Sequence, residues 1–540
     1  MAEQADIFVR KSSGLIRAIP PYQALAYAAG VMNMGCVSVY TIWGQLLYPG
    51  ANFFLFSWTA AVIFPTIFIY ILLAIAMPRS GGEYLYASRS LGPGWGLFAS
   101  WSSVTINSFI WNGIVQGFNV LWGIPVLLMQ LGLGTGNTAL WDLGRRIGNP
   151  ADPAYVWLFV ACMLLITAGN FFHYLGSKAV GVISVIQFIT YTSLVATWVL
   201  MFVPTNPSQM IGAMEAQLGI NFQKDVVQVA ETVPGAVFGT VLFASVFGGM
   251  VYVCQNLLAN TFPANFCGEL KSVAKSQWIS QVGSTVYGIV YFTIGAWLIY
   301  HAMGLENYQH LAMLSATGDD IKLFGTIPSF MYLSIFAARG NMTLPILSTL
   351  LFMISMWGSS VQQPMGATRN IFAYSMDGIF PGRLSKVDRR GSPWLICLIY
   401  YFVAVFCGFL FLYTPYLQYI AYSTATWFVG WTFLSAAAIA FPYVKTSKRI
   451  WEKAPPIVRA RFLGVPVLVI CGVLGVFFNA LVAYAAFLPA FTGAVLQLYP
   501  LLATTSVCFI FPWVVYGLCR LWSRQKGIDI ARRFSEIPPD

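Results

Sequence analysis

Nine cysteines, three histidines and 18 aspartates and glutamates are the side chains of this 540-residue chain able to bind a metal or move a proton. Their spacing supports little chemistry of that kind. Cys36, Cys162, Cys254, Cys267, Cys397, Cys407, Cys471, Cys508 and Cys519 lie within or at the ends of apolar runs. None forms a CxxC pair, so they read as small buried hydrophobes. The histidines are scattered, and the apolar runs hold no paired carboxylates, nucleophile–base set or metal cluster. An enzyme is therefore not expected, nor is a cofactor. More telling are two stretches of poor helix former inside apolar runs. "AGVMNMGCVS" (Ala29–Ser38) carries two glycines, an asparagine and a serine, and "ANTFP" (Ala259–Pro263) ends on a proline. Glycine loosens a helix by about 1 kcal/mol relative to alanine, and proline removes a backbone donor.

The surrounding elements are membrane spans. With 58% hydrophobic and 9% charged residues, the chain has too little polar surface for a soluble protein of its length. Runs that meet the ~20-residue requirement for a span fall at 22–47, 52–77, 96–128, 154–173, 179–203, 240–267, 278–303, 344–374, 393–413, 415–441, 464–489 and 498–521. The first follows a polar start without a cleavage signature, so it is read as a retained helix. Twelve spans put both termini on one side. That side carries 24 of the 29 lysines and arginines; Arg145, Arg146, Lys224, Lys322 and Arg339 fall on the other. The positive-inside rule makes the basic side cytoplasmic. The net charge of +11 is thus a topology signal beside an anionic lipid bilayer, and nucleic acid is not an expected partner.

Both breaks lie about one half-span from the basic end, in the first and sixth runs. Interrupted helices at matching positions point to an inverted repeat of five plus five helices with a binding site at the midplane. The interrupted half-helices expose N–H groups suited to a carboxylate and carbonyls suited to an ammonium. Close helix packing is the competing reading of the glycines. No Asp or Glu lies at the centre of any run.

Three motifs resemble the amino acid–polyamine–organocation (APC) permeases. "MPRSGGEYLYASRSLGPGWGLFASW" (Met77–Trp101) resembles the loop between the family's second and third helices. "GELK" (Gly268–Lys271) resembles the end of its sixth, and "ATRNIFAYSMDGIFPGRLSKVDRRGSPW" (Ala367–Trp394) the loop after its eighth. The resemblance implies an all-α integral membrane protein of 12 transmembrane helices. Its fold would be a 5+5 inverted repeat with discontinuous helices 1 and 6, plus two C-terminal helices. The expected divisions are a cytoplasmic start (1–21) and a transporter core (22–441, repeats about 22–203 and 240–441). A cytoplasmic loop (442–463), helices 11 and 12 (464–521) and a cytoplasmic tail (522–540) follow.

The implied activity is secondary transport of an amino acid by alternating access across the plasma membrane. A neutral or zwitterionic substrate is expected because the core lacks carboxylates. A polyamine or cationic amino acid exchanger, or a non-transporting sensor on the same fold, are the alternatives. Substrate-binding candidates are Asn33, Met34, Gly35, Cys36, Val37 and Ser38 at the first break, and Ala259, Asn260, Thr261 and Phe262 at the second, Phe262 as an aromatic gate. The family's usual Gly-Ser-Gly-Ile-Phe pattern here reads Gly35-Cys36-Val37-Ser38-Val39, without the second glycine.

Candidate path residues are Tyr40, Trp43, Trp111, Tyr422 and Trp427. Ser108, Asn112 and Gln116 join Asn119 on one helix face, where they either line the path or bond a neighbouring helix. Glu83, Arg89, Glu269 and Arg369 read as an inner gate or as solvated loop charges. The coupling ion is left open between H+ and Na+. The fifth run contains no interior lysine to act as a proton switch, Lys178 standing at its end. Thr190, Ser193, Ser359 and Ser360 offer oxygens to sodium, or bond their own helices. The loop 304–343 is expected to form an extracellular cap.

Overall fold

The computed structural model describes residues 15, 17–414, 417–487, 498–525 and 534. The start of the chain and most of the 522–540 tail lie outside them. Without water, backbone groups must be satisfied within each segment, so apolar runs fold as helices. Among the described residues ten helices are long and apolar enough to cross a membrane. An eleventh is counted if Tyr422–Ala440 and Lys445–Lys453, bent by 73°, form one span. The single described sheet is a two-residue hairpin pairing Arg461–Phe462 with Val465–Pro466.

The helices that position the site are α1 (Pro21–Val31), α2 (Val37–Leu47), α3 (Phe64–Ala76), α4 (Gly82–Ser90) and α5 (Ile106–Thr135). Then come α6 (Val156–Tyr174), α7 (Ser177–Phe202), α8 (Phe243–Leu257) and α9 (Gly283–Met303). The second half adds α10 (Leu305–Thr317), α11 (Phe330–Ala337), α12 (Thr343–Gln362), α13 (Pro364–Met376), α14 (Trp394–Tyr413) and α15 (Leu417–Ala440). The sixth predicted run, 240–267, is not one α-helix. After α8 the chain tightens into a 3-10 turn, Leu258–Ala264, which holds Pro263.

Large apolar side chains stay exposed in stripes. Trp157, Leu164 and Phe171 recur every seven residues on α6, Val182, Ile186 and Ile189 share one face of α7, and Phe402, Phe406 and Phe409 one face of α14. A water-soluble surface rarely tolerates so much apolar area, whereas lipid does. Burial concentrates instead in α1 and α2, whose joint span is 94% buried.

Loop 304–343 is helical. It folds into α10, a short helix Asp319–Phe324, and α11, in which all eight residues are buried. This layer packs over α2, away from the start of α1. The Tyr308 and Thr41 hydroxyls meet at 2.7 Å, and Gln45 Nε2 donates to the Tyr300 hydroxyl at 3.0 Å.

Candidate functional site

Asn33 makes the first break. α1 stops at Val31, and Asn33 takes φ 56°, ψ 54°, in the left-handed region that asparagine tolerates better than most side chains. Its Nδ2 donates to the Val31 carbonyl at 3.1 Å. The chain restarts as a 3-10 turn, Met34–Cys36, that runs into α2. The carbonyls left at the end of α1 find amide donors. Gln187 Nε2 reaches Gly30 O at 3.2 Å, and Gln363 Nε2 reaches Val31 O at 3.4 Å.

Between this break and the 3-10 turn after α8 lies a small cavity. The first break contributes Val31, Met32, Asn33, Cys36 and Tyr40, and the second Gln255, Asn256, Leu258 and Ala259. Trp111 and Val115 from α5, Gln363 from the α12–α13 junction and Trp427 from α15 complete the wall. Every lining residue is at most 8% exposed. None of these side chains is a carboxylate, a lysine, an arginine or a histidine. Two buried polar atoms on the wall lack partners, the acceptor Asn33 Oδ1 and the donor Trp427 Nε1. An unpaired buried polar atom costs about 1–3 kcal/mol, so a ligand that meets both gains what the empty site lacks.

Over residues 21–519 the chain matches the protein family described as amino acid permease. The chain belongs to this family, within the APC superfamily. No curated protein matches it. Family membership makes the protein an amino acid transporter embedded in a membrane.

Of the binding candidates in the permease, Asn33, Cys36 and Ala259 line the cavity, whereas Met34, Gly35, Val37, Ser38, Asn260, Thr261 and Phe262 do not. Packing accounts for the latter. A Cβ on Gly35 would stand 2.9 Å from the Phe352 ring, so this glycine serves helix approach, as the competing reading had it. Ser38 Oγ donates to Gly35 O, Thr261 Oγ1 to Leu258 O and Asn260 Nδ2 to Thr285. Val37 packs towards α9, where a Cβ on Gly295 would meet its side chain at 2.8 Å. Phe262 lies behind the wall, stacked on Trp427 with centroids 5.9 Å apart and planes at 15°. We expect Gly35→Leu to destabilise the fold by about 1–3 kcal/mol through overpacking, read as a lowered melting temperature in detergent. An unchanged melting temperature contradicts that packing role.

Of the path candidates, Tyr40, Trp111 and Trp427 line the cavity. Trp43 sits above it, edge-on to Phe118 and Trp122. Tyr422 is buried against Phe487 instead. The polar stripe of α5 does not line the cavity but stitches that helix to the α12–α13 arm. Ser108 bonds Gln363 O, Asn112 Oδ1 accepts from Ser360, and Gln116 Nε2 donates to Met356 O at 2.9 Å. These are bonds to a neighbouring helix, the second of the two roles read from the sequence. Three of the four oxygens read as candidates for sodium make bonds within the protein. Thr190 donates to Gln187 O, Ser359 to Met356 O and Ser360 to Asn112, while Ser193 is half-buried.

At the basic end the gate candidates are buried, not solvated. Arg369 grips Glu269 in a fork at 2.7 and 3.1 Å, with both side chains at most 2% exposed. Arg89 forks onto Asp377 at 2.7 and 3.2 Å, where the Tyr84 hydroxyl adds a bond at 2.9 Å. The N-terminal segment ties down the same corner. Ala18 N and Ile19 N both donate to Glu269 O at 3.0 Å, and Lys271 N to Ile19 O.

Sequence reasoning missed Gln255, Asn256, Gln363 and Asp377. Each had a signal. "CQN" immediately precedes the second break, "QQP" marks a helix junction at Pro364, and Asp377 stands inside the third family motif.

Proposed function

We propose that the protein is a secondary active permease for a neutral or zwitterionic amino acid, working by alternating access. The fold underlying this reading has 12 spans, a 5+5 inverted repeat and the basic end in the cytoplasm. Its strongest support is the cavity at the two interrupted helices, with an unpaired acceptor, an unpaired donor and no charged side chain on its wall. A zwitterion brings its own opposite charges, and the half-helix ends and side-chain amides match them. A polyamine or a cationic side chain would bring surplus positive charge to a wall without a carboxylate, at a desolvation cost nothing there offsets. In this reading the Tyr308–Thr41 contact belongs to one gate, and the Phe262–Trp427 stack with the two ion pairs to the other.

The test is counterflow in proteoliposomes preloaded with unlabelled amino acids. Labelled L-alanine, L-serine, L-leucine, L-glutamine, L-lysine and putrescine are offered outside. Saturable exchange of one or more neutral members, with none of lysine or putrescine, is the expected result. Exchange of putrescine or lysine alone overturns the substrate class, and thermal stabilisation without exchange identifies a sensor.

A further inference from the structure

Glu83 stands apart from the other acids at the basic end. Glu269 and Asp377 each face an arginine, whereas among the described residues no lysine, arginine or histidine pairs with Glu83. It is fully buried in the first turn of α4. Four neutral donors from four segments hold it. Ser100 Oγ and Asn370 Nδ2 donate to Oε1 at 2.9 and 2.8 Å. Asn265 Nδ2 and the Tyr70 hydroxyl donate to Oε2 at 2.9 and 3.2 Å. The cradle is tight. Gly82 has φ 43°, and a Cβ there would lie 2.4 Å from Asn265 Nδ2.

The donors come from different elements of the fold. Asn265 follows the 3-10 turn beyond α8, Tyr70 belongs to α3, Ser100 leads into α5 and Asn370 sits on α13. The Tyr70 hydroxyl also accepts from Trp431 Nε1 at 3.0 Å.

We propose that Glu83 is the proton-binding site that couples transport to a pH gradient, a step that rests on the permease reading above. With the basic end closed and the opposite end open, Glu83 takes a proton supplied from the opposite side. When the basic end opens, Asn265 and Asn370 move apart and water reaches the carboxyl. The O–H bond then breaks, and the proton passes to water on that side.

Burial pushes the Glu83 carboxyl above its usual range, and the bonds from Asn265, Ser100 and Asn370 offset only part of that rise. The sign follows. The closed, dry site holds a proton at a higher pH than the open, wet one, so acid favours closure and opening releases the proton. Other ionisable groups lie nearby. Tyr70 faces Glu83 from α3, Tyr374 from α13 and Tyr86 from its own helix. Cys267 follows the 3-10 turn, and the two arginines are committed to Asp377 and Glu269. The helix Lys445–Lys453 touches α4 through Thr446 and the Arg89 carbonyl, with Lys445, Lys448 and Arg449 exposed, and the segment Pro93–Ser100 brings no ionisable group.

The experiment uses the full-length protein in proteoliposomes with an imposed pH or sodium gradient, offering labelled L-alanine, L-serine, L-leucine and L-glutamine. One proton per substrate gives an accumulation ratio of about tenfold per pH unit. Wild type is expected to approach that ratio. Glu83→Gln is expected to give a ratio near one at every gradient, with no protons moved per substrate, as read by a trapped pH-sensitive dye. Glu83→Asp keeps a titratable group, so it retains accumulation with a displaced pH profile. Gradient-driven accumulation by Glu83→Gln equal to wild type overturns the proposal, and so does wild-type accumulation driven by sodium alone. If Glu83→Gln does not form a monodisperse particle, Glu83→Asp decides, and an unshifted pH profile overturns the assignment. Wild-type counterflow without any response to pH removes the proton site alone. Absence of wild-type counterflow removes the permease reading itself.

Discussion

Asn33→Gly is expected to weaken substrate binding about 10- to 100-fold while leaving the helix break intact. Glycine adopts the left-handed conformation of Asn33 without strain, so only the side chain is lost. With it goes the unpaired Oδ1 on the cavity wall. A hydrogen bond to a charged group contributes about 1.5–3 kcal/mol, and each 1.4 kcal/mol is about tenfold in affinity. The measurement is the Kd for the exchanged amino acid from thermal-shift titration, with melting temperature of the empty protein as the control. Asn33→Val removes the same oxygen and adds a β-branched residue at positive φ, so it is expected to lose stability as well. Trp427→Phe tests the partner atom. It keeps an aromatic ring against Phe262 and deletes the Nε1 donor together with one ring of the indole. A Kd unchanged in both Asn33→Gly and Trp427→Phe would falsify a substrate site at this cavity.

Arg369→Met is the substitution expected to damage the protein most. It strands Glu269 as an uncompensated charge in a site where both partners are at most 2% exposed. Breaking one side of such a pair costs about 3–5 kcal/mol, whereas replacing both partners by apolar residues is often close to neutral. Arg369→Met and Glu269→Met singly are therefore expected to lower the melting temperature sharply, and the double variant to recover most of it. Single variants that melt with the wild type, or a double variant no better than the singles, would show that the pair adds nothing to closure of this end.

The two breaks were legible because glycine, asparagine and proline act locally. Pro263 forbids an ordinary α-helical bond wherever it sits, and the chain does tighten into a 3-10 turn there. The side chains that face the cavity were less legible. A 3-10 turn advances about three residues per turn, in place of the α-helical 3.6, so the faces of Asn260, Thr261 and Phe262 could not be extrapolated from the run before them. In the end they point at Thr285, at their own backbone and at Trp427. The stripe Ser108, Asn112 and Gln116 was recognised as one polar face, but periodicity gives a face and not what lies opposite it. Backbone carbonyls and hydroxyls of the α12–α13 arm lie there.

The sequence by itself determined the solvent, the helical class, the concentration of basic residues at one end and the family motifs. Each of these follows from composition or from local backbone chemistry. Only the tertiary structure decided which charges are paired. Arg89 and Asp377 are far apart in the chain, and so are Arg369 and Glu269, and no local rule joins them. It also decided that Glu83, read from the sequence as one gate charge among four, lies buried among neutral donors. Burial and partner choice depend on contacts between distant segments, and those contacts are what turn a rim of charges into two locks and one titratable group.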